Sequence, residues 1–120
     1  MSFLHQTSPK LIPTVDGKTI EEHFGLLAGG SDQISVARMI APPGWSEPAQ
    51  RPEFDEYTLI IRGKKRITLD DSVVELSEGE SFFVSSGTRV QYSNPYTDDV
   101  EYWAVCLPAF SPDKVHREPD

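Results

Sequence analysis

The sequence predicts an all-β domain on three observations: a run of short strand patterns, a turn signal between each and the next, and no amphipathic helical window to carry a parallel crossover. The strand patterns cover residues 56–61, 65–69, 73–76, 81–84, 89–92 and 101–107. Arg62-Gly63, Asp70-Asp71, Glu78-Gly79, Ser86-Gly87 and Asn94-Pro95 separate them. Strands of this length and spacing belong to a sandwich or barrel.

Upstream, residues 1–13 read as an arm, broken by Thr7, Ser8, Pro9 and Pro13, of the kind that crosses to a neighbouring subunit. Asp16-Gly17 is a turn, and residues 18–27 fit a short strand or a short helix equally well. After Gly29-Gly30-Ser31-Asp32, residues 33–40 alternate, with Ile34, Val36 and Ile40 on one face and Arg38 among them. Pro42-Pro43-Gly44 ends that strand, and residues 46–51 form a polar loop in which Pro48 and the following Pro52 forbid helix. Residues 14–107 therefore make the domain. Residues 108–120, with three prolines, form a tail packed on its surface.

At 120 residues and 13.4 kDa the chain makes one domain. Its 38% hydrophobic content is thin for that size, so part of the apolar surface is expected against a partner chain, most simply in a homodimer. A net charge of -8, with no basic cluster beyond Arg62, Lys64, Lys65 and Arg66, argues against nucleic acid and anionic membranes as partners. Cys106, the single cysteine, has no intrachain partner and reads as a core thiol. Residues 1–10 are mostly polar and lack the apolar run of a signal peptide, which makes the cytoplasm the expected location.

Two stretches carry a family resemblance. Residues 44–63 resemble the first cupin motif, G-x5-H-x-H-x3-E-x6-G, with Gly44, Glu56 and Gly63 in register. Residues 79–94 resemble the second, G-x5-P-x-G-x2-H-x3-N, with Gly79, Gly87 and Asn94 in register and Ser85 in place of the proline. The resemblance implies a single-domain cupin jelly-roll β-barrel whose lumen holds the functional site. Among named groups the chain is also similar to the cupin-like ethanolamine-utilisation protein, which likewise lacks the usual histidines and has acidic residues near the first motif.

The ligand positions of the motifs depart from the family. Its three histidines fall on Gln50, Pro52 and Val90, and of the four metal-ligand positions only Glu56 is kept. Proline and valine have no side-chain donor, and a transition metal needs about three protein ligands, so no metal cofactor is expected. An atypical site would have to draw on Glu47, Gln50, Glu56 and His116. The other histidines, His5 and His23, are not at ligand spacing.

In the implied register Glu56 faces the lumen with Val90 and Tyr92 opposite, Arg38 beside them, Gln50 nearby and Trp45 as an apolar lid. A carboxylate in such a place must be paired, hydrated or protonated. Two arrangements satisfy this: a structural Glu56–Arg38 pair, or a pocket in which Gln50, Glu56, Tyr92 and Arg38 bind a small polar molecule and Glu56 acts as acid or base. The expected function is the second, a cupin-fold protein that binds a small polar molecule in the barrel, with acid–base chemistry on it open to Glu56. A non-catalytic structural or regulatory dimer, with a plugged lumen, and an enzyme with an atypical metal site are the alternatives. Asp113, His116 and Arg117 of the tail are candidates for a lid or an intersubunit contact.

Overall fold

The computed structural model describes residues 2–119; the terminal residues of the arm and tail, Met1 and Asp120, lie outside the described part. Among the described residues there are nine strands: β1 Lys10–Leu11, β2 Thr19–Phe24, β3 Ser35–Ala41, β4 Asp55–Arg62, β5 Lys65–Thr68, β6 Val73–Leu76, β7 Ser81–Val84, β8 Gln91–Ser93 and β9 Val100–Leu107. They form a six-stranded antiparallel sheet, ordered β1-β2-β3-β9-β4-β7, and a three-stranded one, ordered β6-β5-β8. None of the described helices is long and apolar enough to cross a membrane.

The all-β expectation therefore holds, but the closed barrel does not: the two sheets remain open. The loop after β3 comes nearest to joining them. Its backbone meets β8 and the residue before it at isolated bridges, Ser46 with Ser93 and Gln50 with Val90, and goes no further. Pro48 and Pro52 explain this, because a proline has no N–H to extend a ladder.

Two segments are more ordered than the sequence suggests. Lys10 and Leu11 of the arm pair with Glu22 and Glu21 of their own chain, between Pro9 and Pro13. The tail contains one helical turn, α1 Pro112–Val115, begun by a proline whose fixed φ suits the first helical position. The ambiguous segment 18–27 resolves as strand β2.

Alternation then decides what faces the interior. In β4, Glu56, Thr58 and Ile60 point inward and Tyr57, Leu59 and Ile61 outward; in β9, Val100, Tyr102, Ala104 and Cys106 point inward. β3 is one residue out of step with the sequence reading. Ser35, Ala37 and Ala41 are the buried face, and Arg38 is turned outward to Glu21 and Glu101. Met39 shares that inward face, but its other residues are small, so hydrophobicity alone marks the wrong face.

Size also decides where the interior is solid. Trp45, Ile60, Ile67, Leu76, Val90 and Val100 pack one end, each large apolar side chain adding about 1.5–3 kcal/mol when fully buried. At the other end Ala37 and Thr58 both stand opposite Ala104, and a hollow remains. Asn94 stitches the packed end. Its buried amide donates to the carbonyls of Ala41, Pro42 and Asp98, while its Oδ1 accepts from the Tyr96 amide.

Candidate functional site

The hollow lies between the sheets and leaves about 60 Å³ for the centres of water-sized molecules, room for a few waters or a small polar ligand. Glu56 of β4 and Tyr102 of β9 face it from the large sheet; Lys65 of β5 and Tyr92 of β8 face it from the small one. The Tyr92 hydroxyl donates across the gap to Glu56 Oε1 at 3.3 Å. Lys65, 1% exposed, places its Nζ 3.6 Å from the centre of the Tyr102 ring and 4.2 Å from that of Tyr92. These are cation–π contacts, and Lys65 Nζ has no hydrogen bond or ion pair among the described residues.

Nearer the mouth, charges are paired. Lys18 Nζ lies 3.2 Å from Glu47 Oε2 and 4.6 Å from the centre of the Trp45 ring, with both charged side chains buried. Arg117 of the tail reaches the same Glu47 oxygen at 3.5 Å and donates to Gln50 Oε1 at 3.3 Å. The tail is held there by backbone bonds from Arg51 to His116, Glu53 to Lys114 and Glu118 to Ala49. Val115 and Phe110 add apolar contact with Phe54 and Cys106. Behind the hollow, Glu22 accepts from the amides of Leu27 and Ala28 at 2.9 and 2.8 Å, which satisfies one of its buried oxygens.

Burial governs the titration of the inner groups. It pushes the Glu56 carboxyl up from its ordinary value, with the Lys65 ammonium pulling the other way. It pushes Lys65 down to about 7, with Glu56 opposing. The Tyr92 hydroxyl and the Cys106 thiol are both raised, again by burial, and stay protonated at neutral pH. The hollow thus holds a carboxyl raised above its ordinary value beside an amine lowered to about 7.

Of the residues singled out in the sequence, Glu56, Tyr92 and Gln50 line the hollow, whereas Val90 and Trp45 are buried in the packed end. Trp45 donates its indole N–H to Asp16 at 2.7 Å. Arg38 is not in the lumen; it bridges Glu21 and Glu101 on the outer face, so it cannot neutralise Glu56. Arg117 is the tail residue that reaches the mouth. Asp113 bonds Ser111, and His116 bonds Glu53 at the exposed surface. Lys18 and Lys65 are not among those residues, although Lys65 lies two residues before buried Ile67 on the alternating strand β5.

The donor set does not fit a cupin-type metal. Pro52 and Val90 have no donor, Gln50 is bonded to Arg117, Glu47 is shared between two cations, and His116 is paired outside. Among the described residues no three His, Cys, Asp or Glu side chains cluster as a metal site.

Two facing antiparallel sheets with a polar hollow at one end define a small β-protein of the jelly-roll kind. The chain belongs to the cupin domain family, which matches residues 37–106. It is 50% identical over 109 residues to a protein of Myxococcus xanthus (strain DK1622) named endoribonuclease YbeY, a match covering 91% of this chain and 37% of that protein. The chain thus spans little more than a third of that relative. Among solved structures it is similar to the polyketide cyclase RemF of Streptomyces resistomycificus, with a TM-score of 0.75, 17% identity and 100% and 87% of the two chains covered. It is also similar to the EutQ protein of Clostridium difficile, with a TM-score of 0.61, 24% identity and 78% and 65% covered. At these identities the likeness to solved structures concerns the fold.

Proposed function

We propose that the hollow binds a small polar molecule without a metal and that Glu56 serves there as an acid–base group. The observation carrying this reading is the buried Glu56–Tyr92 hydrogen bond facing an open hollow beside an amine without a polar partner. Such groups are costly to bury and are kept where chemistry uses them. A purely structural cupin would have its lumen plugged by side chains, and the small residues Ala37, Thr58 and Ala104 leave this one open. That a fold relative is named a polyketide cyclase is consistent with small-molecule work in this architecture. RNA cleavage is not part of the reading, because a net charge of -8 opposes phosphate-backbone binding.

Native mass spectrometry with elemental analysis, on protein purified without chelator, tests this directly. The expected result is substoichiometric transition metal and either a retained small-molecule mass or uptake of one from a panel of small polar compounds, reduced in Glu56→Gln. Near-stoichiometric metal would overturn the metal-independent reading.

We also infer that the outer face of the large sheet pairs with a second copy of the chain. Tyr57, Leu59, Ile61, Phe83 and Leu107 stand there on adjacent strands, each 39–48% exposed, so the outward face of β4 is apolar where a solvated face would alternate to polar residues. Beside them Arg38 and Arg62 balance Glu21 and Glu101, so this part of an acidic molecule does not repel its own copy.

A further inference from the structure

Among the described residues, each charge around the hollow has a polar partner except one. Glu22 is held by two amides, Lys18 and Arg117 by Glu47, and Glu56 by Tyr92. Lys65 has only the faces of two tyrosines, which interact with an ammonium but offer it no hydrogen-bond acceptor. A lysine required only for structure would be expected to bond a carbonyl or carboxylate, since an unpaired buried charge is strongly destabilising. Its amine also lines a hollow large enough for only a small guest.

We propose that Lys65 captures a small aldehyde or ketone covalently, as a Schiff base. The inference rests on the hollow being a small-molecule site and names the substrate class. The neutral amine adds to the carbonyl carbon: the N–C bond forms, the C=O π bond opens, and the nitrogen's proton passes to the oxygen to give a carbinolamine. Glu56 in its protonated form then supplies the proton with which the hydroxyl leaves as water, and the nitrogen lone pair closes the C=N bond. Glu56 recovers a proton when the cationic imine loses its own or when water returns and hydrolyses it. No oxidant or reductant takes part. Desolvation of a lysine in an apolar pocket is a known way to make its amine nucleophilic at neutral pH, and the lowered proton affinity of Lys65 agrees with that role.

The test uses the full chain, propanal at low millimolar concentration and sodium cyanoborohydride, with peptide mapping of all five lysines by mass spectrometry. At pH 7 Lys65 is expected to be alkylated at least tenfold faster than its exposed neighbour Lys64, with a rate that rises through about pH 7 and then levels. Glu56→Gln should slow the reaction at Lys65 and leave Lys64 unchanged. Alkylation of Lys65 no faster than that of Lys64 would overturn the proposal. Native mass spectrometry of propanal and of small polar compounds, without reductant, separates the two readings. Uptake that is lost on denaturation, with no adduct at Lys65, would sink the Schiff base and leave the binding site standing; no uptake of any compound would sink both.

Discussion

At the scale of single residues, a polar group on the inward face of a strand is the informative event, and Lys65 shows why. Its ammonium is more stable in the unfolded chain than in the fold, so the unfolded state binds more protons between about pH 7 and pH 10.5 and stability rises with pH across that window. Below about pH 7 both states are protonated and the full penalty applies. Glu56 has the opposite effect: raised above 4.5 in the fold, it gives a contribution that falls as pH climbs through its folded pKa. Lys65→Met is therefore expected to be more stable than wild type at pH 6, on the order of a few kcal/mol since each pKa unit is worth about 1.4 kcal/mol. The gap should shrink by pH 9.5, as urea denaturation at the two pH values would show. A gap independent of pH would mean that packing rather than charge sets it. Much of this site was written in the sequence. Glu56, Gln50 and Tyr92 were found by register, while Lys65 was absorbed into a basic cluster whose other members are not buried.

At the scale of elements, turns fixed by glycine separate backbone freedom from space. Gly63 and Gly79 both have positive φ, 81° and 83°, but a Cβ on Gly63 would lie 2.3 Å from the Asp99 carbonyl oxygen, whereas one on Gly79 meets nothing within 4 Å. Gly79→Ala should cost only the left-handed penalty, about 1–2 kcal/mol. Gly63→Ala should cost at least about 2 kcal/mol more, because the clash is with backbone and the start of β9 must shift. Chemical denaturation of the two variants measures the difference, and equal losses would show that the 63–99 approach relaxes easily. Both glycines are legible as turns, but each turn carries the chain from one sheet to the other and closes no hairpin. What sequence could not show is the face of β3: Ile34, Val36 and Ile40 look like core, yet the inward positions are Ser35, Ala37, Met39 and Ala41, set by the ladder with β9. Arg38 followed those residues to the wrong side.

At the scale of the whole molecule, two open sheets leave one broad apolar face to be covered and one hollow to be filled. Sedimentation analysis should find a dimer at micromolar concentration, and Leu59→Glu, which places a charge at the centre of the exposed face, should give a folded monomer. A wild-type monomer at high micromolar concentration would overturn the pairing. The thin hydrophobic composition leads to the same expectation of a partner but does not locate the surface, since outward apolar residues become visible only once each strand's facing is known.

The tail that carries Arg117 to the mouth also seals Cys106, the chain's single thiol, beneath Phe54, Phe110 and Val115. Thiol reagents attack the thiolate, and burial keeps this sulfur protonated for as long as the seal is in place. Cys106 is in effect a built-in stopwatch: the rate at which it is alkylated counts how often this end of the molecule opens, with no label to install and no second cysteine to confuse the record.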